Sequence, residues 1–180
     1  MLTKFRAKMI AKLYAPHMRA GLRVLDVGCG NAVVSKYLID KFGITLEGTD
    51  ILEYLEEQIC FKKMDKPNVL PYADGSFDTV MFNDVLHHTE NIEALLREAL
   101  RVASKILIFE MGPSGWARFV DRFANVFIHK DMPVPLNFLN KQEWVELLAE
   151  LNCKFQIEEM RRPFFGYPLK HCFICVERKV

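Results

Sequence analysis

Two segments of this chain, Thr79–Asn83 and Lys105–Glu110, are apolar at every interior position and too short for ordinary helices. A strand with one polar face can leave that face in water. These strands have no such face, so each has to be covered on both sides. Arg23–Val27 is another short, mostly apolar strand. Between the strands lie helical patterns: Ala32–Phe42, then Asn91–Ala103, which opens on an Asn cap and carries Ile92, Leu95, Leu96, Ala99 and Leu100 on one side. Ile44–Thr49 reads as a second strand ending at Asp50, followed by a short irregular helix through Cys60 and a third strand over Phe61–Met64. Strands alternating with helices, with no polar strand face, predict an α/β chain built on a doubly covered, mainly parallel sheet.

After Glu110 the pattern changes. Residues 112–139 hold Trp116, Phe119, Phe123, Phe127 and Phe138 among three prolines. Asn140 with Glu143 forms a capping box for a helix to about Leu151. Phe155–Met160 and Cys172–Glu177 read as two closing strands with alternating faces. With 180 residues, one core and one domain over 1–180 are expected. Lys plus Arg number 24 against 23 Asp plus Glu, a net charge of +1. No global field exists to hold a polyanion, so nucleic acid is not an expected partner. The five cysteines are scattered, as free thiols of a reducing cytoplasm would be. No apolar run is long enough for stable membrane insertion. Residues 1–20 form a basic amphipathic helix with Leu2, Phe5, Met9 and Leu13 at helical spacing. It is either packed on the core edge with its lysines in water, or a cover for a pocket or a membrane-surface contact.

The stretch VLDVGCGNAVV, Val24–Val34, breaks an apolar strand with Asp26, Gly28 and Gly30. In a parallel sheet, ligands sit beyond the carboxyl ends of the strands. Glycines there permit unusual dihedrals and let a ligand approach backbone N–H groups. Asp26 can act on a polar or cationic group held in the loop. Asp50, ending the next strand, can accept hydrogen bonds from both hydroxyls of a ribose. A dinucleotide fingerprint would need a third glycine where Val33 stands, and no Gly-Lys-Ser/Thr follows, so pyrophosphate ligands are disfavoured.

VLDVGCGNAVVSKYL resembles the first motif of class I S-adenosylmethionine-dependent methyltransferases. LPYADGSFDTVMFNDVLHHTENIEALLREALRVASKILIFE resembles the region after strand four in small-molecule enzymes of the ubiquinone/menaquinone type. The likeness is strong over about residues 22–111. It implies a Rossmann-like, doubly wound seven-stranded sheet, mainly parallel, with the last strand antiparallel and beside the fifth. It also implies S-adenosyl-L-methionine as cofactor, a transferase of the EC 2.1.1 class, and a small-molecule acceptor. By the same resemblance Gly28, Cys29 and Gly30 wrap the methionine part, with Asn31 beside them and Asp26 near the amino group. Asp50 holds the ribose diol next to Ile51. Asp65, with Lys66, matches the adenine-binding acid, and Asn83 borders the methionyl group. Ala32 stands in place of the family's third glycine.

His87 and His88 follow strand four and are candidates for general base catalysis or for lining the site. Residues 112–139 read either as a lid carrying Trp116 and His129 to an at least partly apolar acceptor, or as a helix packed on the core. Cys172 and Cys175 have metal-like spacing, but residues three apart on a strand face opposite ways, and no metal site is expected. Two rival readings remain: a non-catalytic binding module on this fold, and an NAD(P)-dependent oxidoreductase.

Overall fold

The computed structural model describes residues 2–113, 137–160 and 170–179. In chain order its elements are α1 (Leu2–Tyr14), β1 (Arg23–Val27), α2 (Val33–Phe42), β2 (Thr45–Asp50), β3 (Cys60–Lys63), β4 (Thr79–Asn83), α3 (Ile92–Val102), β5 (Lys105–Met111), α4 (Lys141–Glu150), β6 (Cys153–Met160) and β7 (His171–Arg178). Short 3-10 turns follow α1 at Ala15–His17 and β4 at Leu86–His88.

The strands form one seven-stranded sheet in the order β3-β2-β1-β4-β5-β7-β6. Pairs from β3 through β5 are parallel. The last strand, β7, runs antiparallel between β5 and β6. This is the doubly wound α/β sheet that the sequence predicts. The period of two along each strand sorts the core into two layers. Leu25, Val27, Val80, Phe82, Ile106 and Ile108 face α3 and α4, where Leu95, Leu96, Ala99, Trp144 and Leu148 are buried. Val24, Leu46, Met81, Leu107 and Phe109 face α1 and α2, against Ala7, Ile10, Ala11, Tyr14, Val34 and Leu38. The opposite placement expected for Cys172 and Cys175 holds, since they fall in different layers.

The Asn91 cap accepts from Ala94 N, and Asn140 and Glu143 form both halves of the capping box. Two expectations are corrected. No helix runs from Asp50 to Cys60. There Leu52 N donates to Asp50 Oδ1, and Glu56 N and Glu57 N both donate to Asn31 O. The N–H groups of Glu56 and Glu57 reach out to the loop after β1 instead of back along their own segment, and a helix cannot form without its i to i−4 bonds. The closing strand β7 is also not alternating: His171–Val176 is buried on both faces because it lies inside the sheet.

The chain winds from β1 outward to β3, then crosses back to β4 on the other side of β1. The carboxyl ends of β1 and β4 therefore flank the switch point where open sheets of this kind bind ligands.

Candidate functional site

Asp26, Asp50 and Asn83 end or nearly end β1, β2 and β4, and all three are buried polar groups. Gly28, Gly30 and Ala32 carry positive φ angles of 71°, 55° and 62°. This alternation turns the chain sharply from β1 into α2.

The loop is braced from within. Gly28 N and Cys29 N donate to Thr49 O at 2.8 and 3.3 Å, and Gly30 N donates to Asp50 Oδ2 at 3.0 Å. A Cβ on Gly28 would lie 2.4 and 2.6 Å from the two methyl carbons of Val85, so the bare face of Gly28 is filled by β4's own connection. These N–H groups are thus bonded within the protein. Their N–H groups hold the loop to the end of β2, and their missing side chains admit protein neighbours. A Cβ on Gly30 would lie 3.2 Å from the Tyr54 hydroxyl. Burial, and then the nearby Asp50 and Cys29, push the Tyr54 phenol up to about 12.

On the α1–α2 side a hydrogen-bonded chain runs through four residues. The Tyr14 hydroxyl donates to Asn83 Oδ1 at 2.9 Å, Asn83 Nδ2 donates to Asp26 Oδ1 at 3.3 Å, and the Ser35 hydroxyl donates to Asp26 Oδ2. Burial pushes the Asp26 carboxyl up to about 7, against the bonds from Ser35 and Asn83, and the charge on Asp50 adds to the rise. Burial and then Asp26 raise the Tyr14 phenol well above its ordinary value, which keeps it a donor. Two buried carboxylates at the tips of adjacent strands suit a ligand that brings a cation to one and hydroxyl donors to the other.

Beyond β4 the backbone of Asp84 is left-handed (φ 56°). Its carboxylate takes Arg6 Nε at 3.0 Å and His171 Nε2 at 3.1 Å, while Arg6 Nη2 also donates to Asn83 O at 2.6 Å. Burial alone would raise the Asp84 carboxyl; Arg6 and His171 overcome it and hold it below the usual range. At the end of β5, Glu110 accepts from Val85 N, Leu86 N and Met111 N, and pairs with His87 Nδ1. Both Glu110 oxygens already accept backbone N–H groups, so the shared hydrogen belongs to His87 Nδ1 and the basic lone pair to Nε2.

His87 is only 1% exposed, not a rim residue as its position after the strand suggested. Its ring stacks on Phe138 at 4.8 Å, and Asn137 N donates to its carbonyl, so the end of the 112–139 segment docks on it. His88 is half-buried beside it, with ring centroids 4.0 Å apart. Ile51 is partly buried against the core, and Asp65 and Lys66 are exposed just past β3. Trp116 and His129 lie outside the described residues, as do Phe119, Phe123 and Phe127. The sequence did not single out Arg6, Tyr14, Tyr54, Glu110 or His171. Glu110 had a signal, because a charged residue ending an apolar strand is the same anomaly as Asp26.

A family model described as a methyltransferase domain matches residues 25–106. Norajmaline N-methyltransferase of Rauvolfia serpentina is 32% identical over 111 residues, covering 54% of this chain and 38% of that protein. Demethylmenaquinone methyltransferase of Beutenbergia cavernae is 30% identical over 123 residues, covering 61% of this chain and 49% of that protein. The chain thus spans less than half the length of these curated relatives. Among solved structures, the YcgJ protein of Bacillus subtilis shares the fold at a TM-score of 0.72 and 16% identity, over 98% of this chain and all of that one. Phosphoethanolamine N-methyltransferase 2 of Haemonchus contortus, solved in complex with S-adenosyl-L-methionine, aligns at 0.71 and 14%, over 96% of this chain and 52% of that one. The glycine loop, the strand-end acids and the strand order around them thus go with sequence similarity to methyltransferases over residues 25–106 and with a fold shared with solved methyltransferases.

Proposed function

We propose that this chain is one methyltransferase domain that transfers a methyl group from S-adenosylmethionine to a small, at least partly apolar molecule by direct in-line displacement. The observation that carries this is the bond from Gly30 N to Asp50 Oδ2, with Asp26 one strand away: loop and strand-end carboxylates form one unit at the switch point. The donor set fits the cofactor. Asp26 suits its cationic amino group, Asp50 its ribose diol, and Gly28, Cys29, Gly30 and Asn31 its methionine part. Ile51, Asp65 and Lys66 are assigned to the adenine side, and Asn83 to the methyl end. When bound, S-adenosylmethionine supplies a methyl carbon already activated by a sulfonium.

The protein's own work is then positioning and water exclusion. The bond from Tyr14 fixes the Asn83 amide with its N–H toward Asp26. Where the acceptor has a proton to lose, His87 Nε2 takes it, with Glu110 steadying the imidazolium. His88, Trp116 and His129 are assigned to the acceptor side, and residues 112–139, anchored at His87 through Asn137 and Phe138, to the cover.

Calorimetric titration with S-adenosylhomocysteine tests the reading. Asp50→Ala is expected to weaken binding by about 1–3 kcal/mol, and undiminished affinity would count against it. His87→Ala should leave that affinity intact and lower turnover by about 10²-fold or more for an acceptor that loses a proton.

A further inference from the structure

We infer that the outward face of α1 docks on an anionic lipid bilayer. From Leu2 to Tyr14 the helix carries Lys4, Arg6, Lys8 and Lys12 and no acidic residue. The chain as a whole has 24 cations against 23 anions, so outside α1 there are 20 cations against the same 23 anions. The positive charge is therefore concentrated on this one element. One face of α1 is spent on the core: Ala7, Ile10, Ala11 and Tyr14 are fully buried.

The opposite face shows Lys4, Phe5, Lys8 and Lys12, all exposed, at the three- and four-residue spacing that aligns side chains along a helix. No carboxylate pairs with any of the three lysines among the described residues, whereas Arg6 is drawn inward to Asp84. Phe5 is 45% exposed and, with Val69, is one of two large exposed apolar side chains among the described residues. Lysines aligned on a straight stripe about 12 Å long suit a planar anionic surface. A nucleic acid is the poorer match. The stripe is short, the rest of the chain carries no excess of positive charge to continue it, and it offers no exposed arginine fork.

The docked helix is also tied to the site. Arg6 and Tyr14, from the inner side of α1, hold Asp84 and Asn83 at the carboxyl end of β4. Docking therefore holds at the lipid the same helix that braces those strand ends. The docking itself does not depend on what the acceptor is.

Flotation with vesicles tests it, using phosphatidylcholine alone and phosphatidylcholine with about a third phosphatidylserine, and no cofactor present. Binding is expected only to the anionic vesicles, and it should fall steeply as salt rises, as the Debye length shrinks. Each basic residue near such a surface adds roughly fivefold to partitioning, so Lys4→Glu/Lys8→Glu/Lys12→Glu, which removes three such charges and reverses them, should bind at least about 100-fold more weakly. The variant should keep its circular dichroism and its affinity for S-adenosylhomocysteine. Equal binding to neutral vesicles, no binding to anionic ones, or an unaffected triple variant would overturn the inference. Tighter binding to poly-uridylate than to anionic vesicles at matched salt would overturn it in favour of a nucleic-acid partner. Loss of methyl transfer with vesicle binding intact would count only against the function proposed above.

Discussion

Cofactor binding should be linked to a proton at Asp26. Burial holds this carboxyl at about 7 in the free protein, so near neutral pH about half the molecules carry it neutral. A ligand that brings a cationic amino group to Asp26 selects the ionised form. Its affinity then scales with the ionised fraction, which falls from one half at pH 7 to about 3% at pH 5.5, a loss of about 16-fold. Titration calorimetry with S-adenosylhomocysteine over that range should give this slope. Repeating it at pH 7 in buffers of different protonation enthalpy should show release of about half a proton. Asp26→Asn should bind weakly and without the slope. Affinity constant within about twofold from pH 5.5 to 7 would refute the reasoning, and so would a slope that survives in Asp26→Asn. Stability follows the same linkage with the opposite sense. The folded carboxyl titrates above its unfolded value near 4, so its contribution is full below pH 4 and is lost as pH rises through 7. Asp78, Asp84, Glu98 and Glu177 are shifted down instead, and their contributions are lost only as pH falls below about 4. Between pH 5 and 7 the trend in the free protein is therefore set by Asp26 among these carboxyls.

Three substitutions test the scaffold. Tyr14→Phe keeps the ring and leaves the buried Asn83 Oδ1 without its 2.9 Å donor, which should cost about 1–2 kcal/mol and lower Tm by about 3–6 °C. Combined with Asp26→Asn in urea melts, it should be non-additive by at least about 0.5 kcal/mol, and simple additivity would break the proposed chain. Gly28→Ala drives a methyl into Val85 at a φ of 71° and should destabilise by about 2 kcal/mol or more, with partial recovery in Gly28→Ala/Val85→Ala. Ala32→Gly should do the reverse, because Ala32 is left-handed at φ 62°; a gain of up to about 1 kcal/mol is expected, and a loss would show that the methyl is needed for packing.

The alternation of strands and helices, the two covering layers and the glycine loop were legible because each leaves a local mark: an apolar run, a helical period, a glycine where a strand ends. The two misreadings share a cause. Whether Leu52–Ile59 forms a helix depends on Asn31 O, more than twenty residues back, which takes the N–H groups of Glu56 and Glu57. Whether β7 alternates depends on its place between β5 and β6, which no period within eight residues records.

The site divides in the same way. Asp26, Asp50 and Asn83 announce themselves as polar ends of apolar strands, but what sets their state does not. Tyr14 and Arg6 reach Asn83 and Asp84 across 69 and 78 positions of sequence, and in the sequence both look like ordinary residues of an amphipathic helix. Their contacts change the meaning of that helix. A cover whose inner face fixes the amide beside Asp26 cannot shift without altering the carboxylate that the cofactor's amino group is proposed to meet. Any partner that engages the lysines of α1 therefore acts on a segment bonded to the site, and cofactor affinity should respond to it even though no lysine of that stripe touches the cleft.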